Sequence, residues 1–237
     1  MLTFVDLETT GTAQNDKICY IACLVDDAKE MHLHYDLVNE GKKIPPMASS
    51  INNITNEMIA SKGPLKESQA FKKMEDTLTR DAVIVAHNLP FELQMLAAAG
   101  MEIQNEGIDT LRVCRHLIPD LESYALNFLR YEMKLYKQEK ALAEILGVNT
   151  DCLTPHNARS DVIITKLLYE ELLELASCEK MIELTYKPVL LQKFEFGKYA
   201  GRYIEEIAQI DRSYLEWMLR SLEDLGEDMR YTLEYYL

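Results

Sequence analysis

Asp6 and Glu8, two acids two positions apart in the apolar run Phe4-Val5-Asp6-Leu7-Glu8-Thr9-Thr10-Gly11, are the residues of this 237-residue chain best suited to chemistry. Strand side chains alternate faces with a period of two, so a strand here projects both carboxylates from one face. Paired carboxylates repel and raise each other's pKa unless a cation lies between them. Hard divalent ions such as Mg²⁺ and Mn²⁺ favour oxygen donors of this kind. Taken alone, the pair is also explained by a half-exposed sheet with a solvated acidic face. The Thr9-Thr10-Gly11 that follows favours a site, because it ends the strand in a turn whose glycine lets a ligand or another backbone approach closely.

Two later clusters carry the same kind of residue. In Ala86-His87-Asn88-Leu89-Pro90-Phe91-Glu92 an acid appears just after an apolar run gives way to a helix starting near Pro90. In His156-Asn157-Ala158-Arg159-Ser160-Asp161 a histidine precedes an acid by five residues at the start of a strongly helical segment. Singly, each is ordinary: first-turn acids complement a helix dipole, and a lone histidine before a helix is usually a polar loop residue. Together they place four acids and one histidine at three element junctions.

The elements that must position them are legible from periodicity. Strand-like runs over Leu2 to Leu7, Ile18 to Val25 and Met31 to Val38, with Asp26-Asp27 as a turn, predict an antiparallel meander. Short helices are expected near Asn56 to Ala60 and Lys66 to Leu78. Val83 to Ala86 reads as a buried parallel strand, another strand ends at Asp109, and helices fill most of Thr110 to Leu184. This is an α/β domain, expected over 1–184. A linker is expected over 185–192, around Tyr186-Lys187-Pro188, and a small C-terminal module over 193–237.

Composition bounds the function. With 48% hydrophobic and 27% charged residues the chain should bury a sizeable core. No apolar run is long enough to span a bilayer, and no signal peptide or membrane partner is expected. The odd, scattered set Cys19, Cys23, Cys114, Cys152 and Cys178 argues for reduced thiols and a cytoplasmic protein. A formal charge of -14 opposes strong binding to long duplex, although a site holding divalent cations is locally positive even on an acidic chain. The acidity therefore predicts engagement of an end.

The three clusters in this order resemble the DEDDh family of 3′-to-5′ exonucleases, relatives of the proofreading subunit of bacterial DNA polymerase, over roughly residues 1 to 178. The resemblance implies a ribonuclease H-like fold, a mixed five-stranded sheet flanked by helices, and a catalytic set of Asp6, Glu8, Glu92, His156 and Asp161. Two metal ions, Mg²⁺ or Mn²⁺, would be held by Asp6, Glu8, Glu92 and Asp161. Asp6 would bridge them, Glu8 and Asp161 would complete the ion beside the attacking water, and Glu92 would hold the second near the leaving oxygen. His156 would be the general base. Thr9, Thr10 and Gly11 would touch the terminal sugar, Thr12 to Gln14 would face the terminal base, and His87 and Asn88 would also meet substrate. Asn53 to Met58 and Asp109-Thr110-Leu111 resemble recurring secondary elements of the family. Glu92 departs from the pattern, which presents Asp after His-Asn-x-x-Phe, so turnover and metal preference rest on how that extra methylene is absorbed.

The segment Phe194-x-Phe196-Gly197-Lys198-Tyr199-x-Gly201-Arg202, followed by Tyr214-Leu215-x-Trp217, resembles the C-terminal segment of the bacterial exodeoxyribonuclease X subfamily. Lys198 and Arg202 are expected to reach phosphates, and the aromatic residues Phe194, Phe196, Tyr199, Tyr214 and Trp217 to form a small core. The expected activity is release of nucleoside 5′-monophosphates from DNA 3′ ends, single-stranded or frayed duplex, in repair or recombination. RNA as the substrate stays open, as does an end-binding module whose turnover Glu92 has abolished. Lys134, Lys137 and Lys140 near Tyr131 and Tyr136 fit a solvated helix face and phosphate contact equally. Cys19-x3-Cys23 with His32-x-His34 lacks the spacing of a standard zinc finger, and Gly197-Lys198 lacks that of a phosphate-binding loop.

Overall fold

The computed structural model describes residues 1–13, 15–78 and 81–237, so Gln14, expected near the terminal base, lies outside the described residues. Five strands, β1 (Leu2–Thr9), β2 (Ile18–Asp26), β3 (Met31–Leu37), β4 (Val83–Ala86) and β5 (Gly107–Asp109), form one mixed sheet in the order β3-β2-β1-β4-β5. The first three are the antiparallel meander. Its reversal is set by Asp27, whose Oδ1 accepts the N–H groups of Lys29 and Glu30, each at 2.9 Å. β4 and β5 join in parallel, and parallel pairing needs crossovers. These are α1 (Pro46–Asn52), α2 (Asn56–Ile59) and α3 (Gln69–Leu78) before β4, and α4 (Leu89–Ala98) before β5.

β1 is the central strand, and its alternation sorts the core into two layers. Phe4 packs with α8 (Ala158–Leu173), while Val5 and Leu7 pack with α3 and α4. Asp6 and Glu8 continue the Phe4 face. Cys19 and Cys23 fall in different layers, which separates the pair considered for zinc. Three helices lead from β5 to α8: α5 (Thr110–Leu117), α6 (Leu126–Glu132) and α7 (Tyr136–Ile145). α9 (Cys178–Thr185) follows α8 and props β5, for the Thr185 hydroxyl accepts the Asp109 N–H at 2.9 Å. No helix among the described residues is long and apolar enough to cross a membrane.

The C-terminal module, with α10 (Ile204–Ile210), α11 (Arg212–Ser221) and α12 (Glu227–Tyr236), has its own core. The second half of the expected linker 185–192 is part of it, whereas Thr185 and Tyr186 bond the nuclease sheet at Asp109 and Gly107. Val189 and Leu191 are buried with Phe194, Ile207 and Leu233, and their N–H groups bond Asp228 and Thr232 of α12, each at 2.8 Å. The apolar alternation Val189, Leu191 explains the difference: a segment that buries every other side chain cannot serve as a free tether. Phe194, Tyr199 and Tyr214 build the expected aromatic core, but Phe196 and Trp217 are each 47% exposed. Trp217 stacks on Tyr214 from outside, at 5.6 Å between ring centres.

Candidate active site

The carboxyl end of β1 is where both layers open. Asp6 and Glu8 come from β1 and Asp161 from the first turn of α8, and ligand oxygens of these three lie within 4.8 Å of one another. Asp161 is fixed by backbone, since its carboxylate accepts the Asn157 N–H at 3.2 Å and that of His156. Glu92 reaches the same place from the other layer, on the first turn of α4. It is buried, takes a hydrogen bond from the Leu7 backbone, and leaves Oε2 buried without a partner. Its carboxylate thus lies against β1, outside the tight group of three.

Burial and like charge act together here. Burial first, then Asp161, Glu92 and Glu8, push the Asp6 carboxyl well above the ordinary carboxylate range. Burial and Asp161 push Glu8 up to about 8. Burial raises Asp161 to about 7 against its backbone hydrogen bonds and the attraction of Arg130, a residue bound by the buried Glu139 at 2.5 Å. Burial and then Glu8 raise Glu92. A cluster of hard oxygen donors that the chain itself leaves repelling, with one oxygen buried and unpartnered, fits a divalent cation.

A cavity of about 1030 Å³ stands over this cluster, lined by Asp6, Asp161, His156, Asn88, Thr12 and the apolar side chains Phe91 and Phe128, among others. His156 is exposed and held in the left-handed region at φ 56°, so its ring borders the cavity without being packed into the core. His87 also lines it, yet both its ring nitrogens are engaged. Nε2 lies 2.8 Å from the Tyr124 carbonyl, which can only accept, so Nδ1 of the neutral ring accepts from the Thr110 hydroxyl at 2.9 Å. Burial pushes the ring's pKa down to about 4, which keeps it neutral. His87 therefore acts as a tie between elements rather than as a free donor to substrate.

The Thr9-Thr10-Gly11 turn is likewise committed to the fold. Thr9 Oγ1 donates to the Gly11 carbonyl at 2.6 Å and Thr10 Oγ1 to Asp16 at 2.7 Å, while Asp16 also takes the Ala13 N–H and pairs with Lys42. A Cβ on Gly11 would lie 2.5 Å from Asp16 Oδ2, so the glycine admits Asp16 rather than a ligand. Of this turn Thr12 lines the cavity. Lys198 and Arg202 are not among the cavity residues and pair within their own module, Lys198 with Asp211 at 3.0 Å and Arg202 with Glu206.

Sequence reading missed the supports. Asp109 caps α5 through the Leu111 N–H at 3.0 Å and takes the Asn88 N–H at 3.1 Å, tying the two strand-to-helix junctions together. An acid before Thr-Leu at a strand end is a detectable cap signal, but its second partner lies twenty-one residues away. Phe128 and Glu132 of α6 in the cavity wall had no local signal, while their neighbour Tyr131, noted beside the basic helix, lines the cavity with them.

A mixed five-stranded sheet with a carboxylate cluster at the end of its central strand defines a ribonuclease H-like nuclease. Residues 3–169 match the Exonuclease family model, and the chain belongs to that family. Residues 194–223 match the Exodeoxyribonuclease X-like C-terminal family. Exodeoxyribonuclease 10 of Escherichia coli (strain K12) is 30% identical over 243 residues, spanning 100% of this chain and 99% of that one. The 3′-5′ exonuclease DinG of Bacillus subtilis (strain 168) is 30% identical over 196 residues, 79% of this chain but 18% of its own length. A solved structure of Exonuclease X in complex with 5′ overhanging duplex DNA superposes with a TM-score of 0.59 at 25% identity, covering 78% of this chain and 99% of that one.

Proposed function

We propose that this chain is a metal-dependent 3′-to-5′ exodeoxyribonuclease that releases nucleoside 5′-monophosphates from DNA ends in repair or recombination. The convergence of Asp6, Glu8 and Asp161 within 4.8 Å beneath a cavity of about 1030 Å³ carries the reading. The full-length similarity to Exodeoxyribonuclease 10 and the DNA held by the solved Exonuclease X support DNA as the substrate. A duplex with a 5′ overhang presents a recessed 3′ end, the kind of terminus such a cavity would accept.

Asp6, Glu8, Asp161 and Glu92 would hold two divalent ions, Mg²⁺ or Mn²⁺, with Glu92 serving the second from the α4 side. When bound, such ions supply Lewis-acid stabilisation of the charge that develops on the phosphate. The chain's own part is to orient and to move a proton. His156, at the cavity rim, takes the proton of the attacking water as its oxygen bonds to phosphorus. The bond from phosphorus to the 3′ oxygen of the preceding nucleotide breaks, and that oxygen is protonated. The phosphate stays on the departing nucleotide, which leaves as a 5′-monophosphate. Phe91 and Phe128 offer apolar surface to bases, and the buried Asp109 holds the Asn88 turn against the cavity.

Incubation of purified chain with 5′-labelled single-stranded DNA, recessed duplex and RNA, in Mg²⁺ or in Mn²⁺, tests this. The expected result is a ladder of DNA products shortened from the 3′ end, lost in excess chelator. Preferential shortening of RNA would move the substrate class to RNA, and cleavage that persists in chelator would refute the metal-dependent mechanism.

A further inference from the structure

The segment joining α5 to α6, residues 118–125, has one flank in the cavity and the other against the C-terminal module. On the cavity side, Ala125, Leu126 and Phe128 form part of the wall, and the Tyr124 carbonyl takes the His87 ring N–H at 2.8 Å. On the module side, Asp120 accepts Lys193 Nζ at 2.7 Å and the Tyr203 hydroxyl at 2.7 and 2.9 Å. Lys193 and Tyr203 form a backbone bridge, and the Lys193 ammonium lies 4.5 Å from the Tyr203 ring centre, so the donors form one unit. Between the flanks, the Tyr124 hydroxyl donates to the Ile118 carbonyl at 3.0 Å and braces the segment across its own turn.

We infer that the C-terminal module positions the substrate-facing wall of the cavity through a clasp of Asp120, Lys193 and Tyr203, which makes Asp120 a positioning residue for the bound strand. The inference rests on the exonuclease reading above and assigns the module a role other than holding phosphates. Lys198 and Arg202, cations suited to that role, pair with the module's own Asp211 and Glu206. The module stays attached without the clasp. Arg112 of α5 makes two bonds to Asp228 of α12, at 3.0 and 3.1 Å. The clasp is half-exposed, so its loss should shift the wall rather than unfold the chain.

The test uses the full chain with three variants, Asp120→Ala, Tyr203→Phe and the exchange Asp120→Lys with Lys193→Asp. Each is assayed on a recessed-3′ DNA oligonucleotide and on the p-nitrophenyl ester of thymidine 5′-monophosphate, which offers no neighbouring nucleotides to the wall. Asp120→Ala should raise the oligonucleotide KM about five-fold or more and hold kcat within about two-fold, with ester hydrolysis unchanged. Tyr203→Phe should show the same split more weakly, and the exchange should restore KM. An unchanged KM in Asp120→Ala alongside an active parent enzyme would overturn the clasp alone. Equal losses on both substrates with a large fall in Tm would also overturn it, in favour of a purely structural contact. A parent chain inert on every 3′ end would remove the exonuclease reading, and the wall's role with it.

Discussion

The acids at the end of β1 and the acids of the C-terminal module obey opposite rules. In the module, Asp211 is bound by the Tyr199 hydroxyl at 2.7 Å, Lys198 at 3.0 Å and Ser213 at 2.8 Å, and these partners hold its carboxyl well below the ordinary range. At the nuclease site burial and neighbouring carboxylates push Asp6, Glu8 and Glu92 the other way. A charge that the chain compensates itself is scaffold. Charges that it buries together and leaves repelling store a free energy that protonation or an external cation relieves, which is why perturbed acids in a cavity mark function.

The largest test of that contrast is Asp6→Asn. It should lower exonuclease activity by about 10³-fold or more, yet raise Tm in chelator, because it removes a repelling charge. A fall in metal-free Tm would mean that the acids stabilise the fold and would break the comparison. Next, His156→Ala should reduce kcat by about 10²-fold while DNA affinity, measured by fluorescence anisotropy in Ca²⁺, stays near that of the parent. A normal rate would assign the proton to another acceptor.

Glu92→Asp should lower the Mg²⁺-supported rate by about ten-fold. α4 is anchored by the buried Leu89 and Leu96, so it cannot advance, and the shorter side chain withdraws from the Leu7 N–H. A faster enzyme would show that glutamate was a poor fit.

The pH dependence of the metal-free protein sharpens the same point. Folded-state values of about 8 for Glu8 and about 7 for Asp161 lie above the ordinary carboxylate range, so the fold binds these protons more tightly than the unfolded chain does. The stability they confer is fully present below the unfolded values near pH 4 and is lost as pH rises through about 7 to 8. Tm in chelator should therefore fall by several degrees from about pH 5 to pH 8, and Mg²⁺ or Mn²⁺ should reverse the fall. A flat profile would mean the acids are not coupled. The smallest effect is expected for Lys198→Ala with Arg202→Ala. These exposed, internally paired cations should change oligonucleotide KM by less than about two-fold, whereas a large rise together with a reduced salt dependence would return them to the DNA-binding surface.

Much of this molecule is local information. The alternation around Asp6 and Glu8, the apolar run ending at Ala86 and the helix start before Asp161 predict element type and the face presented, because periods of two and 3.6 are properties of neighbouring residues. The turn at Asp27 and the helix near Pro90 follow from the same short-range chemistry. Glycine was a weaker guide. Gly11 does mark a close approach, but the group that approaches is Asp16, five positions along the chain, and its carboxylate consumes the hydroxyl of Thr10.

The sequence by itself determined which acids and which histidine stand at which junctions, and the order of strands and helices that carries them. Only the tertiary structure decided that Asp6, Glu8 and Asp161 meet while Glu92 is set against Leu7 from the opposite layer. It also decided that His87 is spent on Thr110 and Tyr124, that Val189 and Leu191 join the module's core, and that the exposed Lys198 and Arg202 pair with acids of their own module. The reason is physical. Local periodicity states the direction in which a side chain leaves its own element, but its partner is chosen by packing between segments tens of residues apart, where burial and competition among polar groups settle which contacts are made.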